Sequence, residues 1–139
     1  MDGVALDQAF AAAPESLSTV RRHVAEAARQ LGCGGDDAAD VVLAVDEALQ
    51  NIIRHGYQGE PGEVGIRIEA DGTRLIVTLT DSAPTVDPER VRPRDLDDLR
   101  PGGLGTRFMR DIMDEVAFLP PYSGTGNRLR MTKHIRGRG

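Results

Sequence analysis

The sequence predicts an α+β fold: a two-layer sandwich in which a mixed or antiparallel sheet carries helices on one face. Three observations support this. Two successive segments before residue 56 place apolar residues at helical spacing. Two alternating runs between residues 65 and 80 are joined at Asp71-Gly72. A third helical segment beginning near residue 105 is followed by two more strand-like runs.

Taken in chain order, residues 3–11 read as a short first strand. Pro14 then opens a helix over Glu15 to Leu31, with Leu17, Val20, Val24, Ala27 and Leu31 along one side, and Gly32, Gly34 and Gly35 end it. Asp36 or Asp37 is the expected cap of a second helix that runs to about His55. Its apolar stripe is Val41, Val42, Val45, Leu49, Ile52 and Ile53, and Gly56 is the expected stop. Strands over Gly65 to Ala70 and Arg74 to Thr80 form a hairpin, since Asp-Gly between alternating runs is a strong turn signal. The stretch from Asp81 to Gly105 is rich in Pro, Gly and Asp and reads as loop, with a helical turn near Pro88 to Val91. A third helix starts at or just after Gly105, marked by Leu104, Phe108, Met109, Ile112 and Met113. Val116 to Leu119 and Arg128 to Ile135 read as the last two strands.

A chain of 139 residues with no internal repeat suits one domain over residues 1–139. Aromatic residues are 4% and Trp is absent, so the core must be aliphatic. The net charge of −5 argues against nucleic acid as a partner, because phosphate neutralisation dominates that affinity. Arg128, Arg130, Lys133, His134, Arg136 and Arg138 crowd the C-terminus and read as a solvated edge strand and tail. A single cysteine, Cys33, cannot form an internal disulfide, which suits the cytosol. The opening residues lack the basic stretch of a signal peptide, and no apolar run approaches the ~20 residues needed to span a bilayer. The expectation is a cytoplasmic protein without a membrane partner.

Three features could carry chemistry. Glu47, Asn51 and His55 follow one another at i, i+4 steps, forming a polar ridge roughly opposite the apolar stripe of the second helix. Such a ridge is either a solvated face or the wall of a cleft, where a carboxylate and a carboxamide would stand beside a bound Mg²⁺. Pro101-Gly102-Gly103-Leu104-Gly105-Thr106 places three glycines at a helix start, where backbone N–H groups and the helix dipole favour an anion. The same residues also suit a plain loop with a cap. Asp81 ends a strand; it is either a terminator or a carboxylate that accepts from a purine amino group.

Taken together, these residues resemble one family. The run Asp46-Glu47-Ala48-Leu49-Gln50-Asn51-Ile52-Ile53-Arg54-His55-Gly56-Tyr57 is similar to the N-box of bacterial anti-sigma-factor serine kinases, which have the Bergerat fold of the GHKL ATPases. Asp81 with Pro84, Asp87 and Pro88 resembles their G1 box. Gly102-Gly103-Leu104-Gly105 followed by Met109, Ile112, Met113, Asp114 and Glu115 resembles their G2 box, and Gly126-Asn127 leading to Leu129, Met131 and Lys133 resembles their last strand. The likeness spans about residues 6–135.

The resemblance implies ATP and Mg²⁺ as cofactors and assigns roles residue by residue. Glu47 would be the catalytic base, Asn51 the Mg²⁺ ligand and Asp81 the adenine reader. Gly102, Gly103, Leu104, Gly105 and Thr106 would wrap the phosphates, Arg100 would contact the terminal phosphate, and His55 and Asn127 would complete the nucleotide site. It also implies two protein partners: a sigma factor held away from RNA polymerase, and a STAS-domain anti-sigma antagonist phosphorylated on serine. A homodimer is implied too, for which the aliphatic face of residues 15–31 is one available surface. The chain departs from the pattern at Ala83 and Thr85, where G1 glycines are usual, and at Asn127 and Arg128, where many relatives carry threonine. Those departures open an alternative, a kinase-inactive regulator that keeps only partner binding. The ATP-binding half of a histidine kinase would need an attached helical hairpin bearing a phospho-accepting histidine, and no such setting surrounds His23, His55 or His134.

Overall fold

Strict alternation of buried and half-exposed residues along two central strands fixes which face of the sheet is covered. The computed structural model describes residues 3–84, 105–120 and 126–135. Strand β1 (Gly3–Ala11) leads through a single 3-10 turn (Pro14–Ser16) into helix α1 (Leu17–Gln30). Helix α2 (Gly35–Asn51) follows and is extended by a π turn (Ile52–Gly56). Strands β2 (Glu63–Asp71) and β3 (Arg74–Asp81) form the hairpin, and helix α3 (Gly105–Ile112) and strands β4 (Glu115–Leu119) and β5 (Asn127–His134) complete the described fold. The sheet order is β1-β2-β3-β5-β4, and every neighbouring pair is antiparallel. The mixed alternative is therefore set aside.

Val64, Ile66, Ile68 and Ala70 on β2, and Leu75, Val77 and Leu79 on β3, point to the helix layer and are buried. Val20, Val24, Ala27 and Ala28 of α1 and Val41, Val45, Ala48 and Leu49 of α2 close the core from above. At roughly 1.5–3 kcal/mol for each fully buried aliphatic side chain, this layer is the main source of stability. The α1 stripe is consumed inside the domain, so the dimer surface considered for residues 15–31 is not available as an apolar face. No described helix is long and apolar enough to cross a membrane.

Several boundaries differ from the sequence reading for identifiable reasons. Neither Asp36 nor Asp37 caps α2. Gly34 occupies the cap position without a side-chain bond, and both aspartates fall in the first turn, where they face the positive helix end. Asp37 is only 3% exposed. The hairpin turn is Gly72-Thr73, flanked by the Asp71–Arg74 pair, with positive φ at Gly72 alone as a II′ turn requires. The helical stretch ends at Gly56 as expected, though not through a left-handed glycine. The turn widens there, with Tyr57 N–H bonding Ile52 C=O at 2.8 Å, and positive φ appears only at Gln58 and Gly59. The helical turn expected near Pro88 to Val91 lies outside the described residues.

The largest correction concerns the basic C-terminal run. β5 is not an edge; it pairs with β3 on one side and β4 on the other. Lys133 faces inward and is 8% exposed. Its ammonium donates to the Ile112 carbonyl at 2.8 Å and stands 3.3 Å from Asp40 and 4.0 Å from Asp37. A cation at the end of α3 and two acids at the start of α2 match both helix dipoles. Asp114 adds two further ties to β5, donating its N–H to Thr132 C=O and accepting from His134 N–H. The tail of α3 is thus pinned at three points. Arg130 and His134 are exposed as expected, whereas Arg136 and Arg138 lie outside the described residues.

Candidate functional site

The site is assembled around the last turns of α2. Val45 and Leu49 bury the opposite side of this helix and Ala44 and Ala48 bury its flank, which leaves Glu47 and Asn51 half-buried on the ridge. The Oε2 atom of Glu47 and the Oδ1 atom of Asn51 are both buried, and Asn51 Oδ1 has no hydrogen-bond partner among the described residues. A buried orphan acceptor costs about 1–3 kcal/mol, so it marks a place where a ligand is expected to complete the coordination. Asp46, the neighbouring acid, is committed elsewhere: it accepts from Arg21 Nε at 2.7 Å and Gln50 Nε2 at 2.7 Å. His55, carried on the π turn, is exposed, whereas Glu47 and Asn51 are half-buried.

Asp81 ends β3. Its cross-strand partners are buried Val64 and Asn127, so strand parity points all three to the helix side. Its Oδ1 accepts from Ala83 N–H at 3.0 Å and from Asn127 Nδ2 at 3.0 Å. Burial pushes the Asp81 carboxyl above the usual carboxylate range, and the bonds from Asn127 and Ala83 partly counter it. The backbone of Gly126 (φ +86°) packs so closely on the Asp81 carbonyl that no side chain would fit there.

Two contacts tie this strand end to α2. The Tyr57 hydroxyl donates to Glu63 C=O at 2.6 Å and accepts from Ser82 N–H at 2.8 Å. Ala83, the departure from a G1 glycine, is 2% exposed, and a Cβ built on Gly56 would stand 3.2 Å from its methyl. The extra carbon is therefore housed against the glycine of the π turn. We expect the two positions to be coupled: Gly56→Ala should cost about 1 kcal/mol more in the native background than beside Ala83→Gly. Urea melts of the four proteins measure this, and strictly additive values would show that the two positions do not touch.

Helix α3 packs against α2, and Gly105 is its first residue. Its N-terminal N–H groups and positive dipole end belong to the expected phosphate cradle. Arg100, Gly102, Gly103 and Leu104 lie outside the described residues, as does the side chain of Thr106. Among the described residues no cluster of three His, Cys, Asp or Glu side chains could hold a metal by itself. Mg²⁺ in nucleotide sites takes most of its ligands from phosphate and water, and the uncommitted carbonyl of Asn51 is a donor of the right kind. The residues present therefore fit the ion.

The profile of the histidine kinase-like ATPase domain matches residues 10–133. The chain is 32% identical over 142 residues to the serine-protein kinase RsbW of Bacillus velezensis, covering 95% of this chain and 86% of that protein. It is 30% identical over 135 residues to RsbW of Staphylococcus aureus, covering 90% and 83%. The chain belongs to the histidine kinase-like ATPase family, in its RsbW branch. Solved structures agree on the fold of this branch. The RsbU and RsbW domains of Rv1364c from Mycobacterium tuberculosis superpose with a TM-score of 0.59 at 18% identity, over 92% of this chain and 32% of that one. The mycobacterial sensor histidine kinase MprB gives 0.54 at 18% identity, over 94% and 99%.

Within the RsbW-type frame, motif reading missed three residues. Tyr57 lay inside the N-box run but carried no role, Gly126 was read only as part of a pattern, and Lys133 was assigned to solvent. Only Gly126 had a local signal, a glycine directly before a strand.

Proposed function

We propose that this chain is an ATP-dependent serine kinase that also acts as an anti-sigma factor in the cytoplasm. It would hold a sigma factor away from polymerase and phosphorylate a serine of a STAS-domain antagonist. The homodimer implied by the resemblance belongs to the same proposal, without the α1 stripe. The observation that carries the reading is the buried, uncommitted carbonyl of Asn51, one turn from Glu47 on α2, the helix against which the glycine-led helix packs.

In this reading, Glu47 takes the proton from the serine hydroxyl as its oxygen bonds the γ-phosphorus and the bond to the β-phosphate oxygen breaks. The products are ADP and phosphoserine. Asn51 would hold Mg²⁺, which neutralises charge on the phosphates when bound. Asp81 accepts from the adenine amino group, Gly105 presents its N–H to the phosphates, and Arg100, Gly102, Gly103, Leu104 and Thr106 extend that cradle. The kinase-inactive alternative loses its main support, since the methyl of Ala83 has a place against Gly56.

The test uses radiolabelled ATP, Mg²⁺ and the antagonist, with and without Asn51→Ala. Label is expected on an antagonist serine. The variant should lose about tenfold or more of its Mg²⁺-dependent ATP affinity, roughly 1.4 kcal/mol. Its melting temperature should stay level or rise, because an orphan acceptor is removed. Mg²⁺-dependent affinity equal to that of the native chain would take Asn51 out of the metal role.

A further inference from the structure

The side-chain amide of Asn127 sits between two acceptors. Its Nδ2 reaches Asp81 Oδ1 at 3.0 Å and the Pro84 carbonyl at 3.0 Å. Because both neighbours can only accept, the nitrogen must face them, and its two hydrogens are both used. Asn127 therefore has no amide hydrogen left for a nucleotide. On the other side of the contact, Asp81 Oδ1 accepts from Asn127 Nδ2 and Ala83 N–H, and the backbone N–H of Asn127, which every substitution below keeps, also bonds the carboxylate.

We infer that Asn127 sets the purine selectivity of this site without touching the purine, acting as a positioning residue for Asp81. With Oδ1 saturated, the carboxylate cannot rotate about its Cβ–Cγ bond without losing two hydrogen bonds, so Oδ2 is the oxygen presented to a ligand. An ionised Oδ2 is acceptor-only: it takes a hydrogen bond from a purine amino group and repels a purine carbonyl. The second bond, to Pro84, ties the described residues just after β3 to the start of β5, so Asp81 and Pro84 share one anchor. The close backbone approach at Gly126 keeps Asn127 directly opposite Asp81. Burial opposes ionisation of Asp81, which makes a donor on Oδ1 more consequential than it would be in water.

This inference rests on the nucleotide reading above, and the experiment separates the two. Affinities for ATP and GTP are measured by calorimetry on the full chain, native and with Asn127→Asp, Asn127→Thr and Asn127→Val. Asp keeps the shape of Asn but has no amide to donate; Thr and Val share one shape and differ by a hydroxyl that can donate to Asp81. The ATP-to-GTP affinity ratio is expected to fall about tenfold in Asn127→Asp and Asn127→Val, the worth of one hydrogen bond, and to be largely kept in Asn127→Thr. A ratio unchanged in Asn127→Val overturns the inference even if Asn127→Asp does not fold, because a merely space-filling residue would not distinguish Val from Thr. A native chain that binds neither nucleotide instead sinks the kinase reading, and this inference falls with it.

Discussion

Glu47→Gln is expected to lower the rate of serine phosphorylation by about a thousandfold, within the 10²–10⁴ range of a positioned general base. The substitution keeps the length and shape of the side chain and removes only its capacity to take a proton. ATP affinity should stay within about twofold, because in the proposed mechanism Glu47 meets the attacking hydroxyl rather than the phosphates. The assignment depends on where the two neighbouring acids point, not on Glu47 lacking partners. Asp46 is already bound by Arg21 and Gln50, while Glu47 lies on the ridge with Asn51 and has a buried oxygen. Single-turnover transfer to the antagonist, measured beside calorimetric ATP binding, checks both halves. Undiminished transfer would remove Glu47 from catalysis, and a parallel collapse of ATP binding would make it a nucleotide ligand instead.

The other large effect is expected far from the base. Lys133→Met should destabilise the fold by about 3 kcal/mol or more, the usual cost of removing one partner from a buried ionic contact. The lost ammonium faces Asp40 at 3.3 Å and Asp37 at 4.0 Å and donates to the Ile112 carbonyl. Methionine fills the space but leaves two acids and a helix-end carbonyl without their cation. In a domain of this size the melting temperature should fall by roughly 10 °C. Adding Asp40→Asn should recover part of the loss, since one half-buried charge is then removed together with its partner. A change of only a degree or two would return Lys133 to the solvent-facing role that the basic run first suggested.

That misreading shows where sequence patterns stop being informative. The hydrophobic periods of α1, α2, β2 and β3 were legible because each is a local property, repeated every 3.6 or 2 residues, and the core follows from them. Strand order is not local. Nothing in Arg128 to Ile135 reveals that β5 inserts between β3 and β4, and only that insertion turns Lys133 inward. The Asp81-Asn127 contact is hidden for the same reason, as it joins residues 46 positions apart. The π turn was missed on different grounds. Gly56 has the composition of a helix stop, and its actual constraint, the approach of Ala83, comes from across the fold. Glu47 and Asn51 were readable because i, i+4 spacing guarantees a shared face whatever the tertiary structure. His55 obeys the same arithmetic and is carried, exposed, on the widened turn.

One strand thus serves two masters. Asn127 opens β5 beside Asp81, and Lys133, near its close, grips the tail of α3. Six residues of extended chain make a ruler of about 20 Å. Bonded along both sides, it neither stretches nor slips except by a register step that would turn every side chain over. In the proposed nucleotide site, exchange of one nucleotide for another would therefore leave the span from Asp81 to the tail of α3 constant. Any displacement of α3 would pivot on its anchored heel.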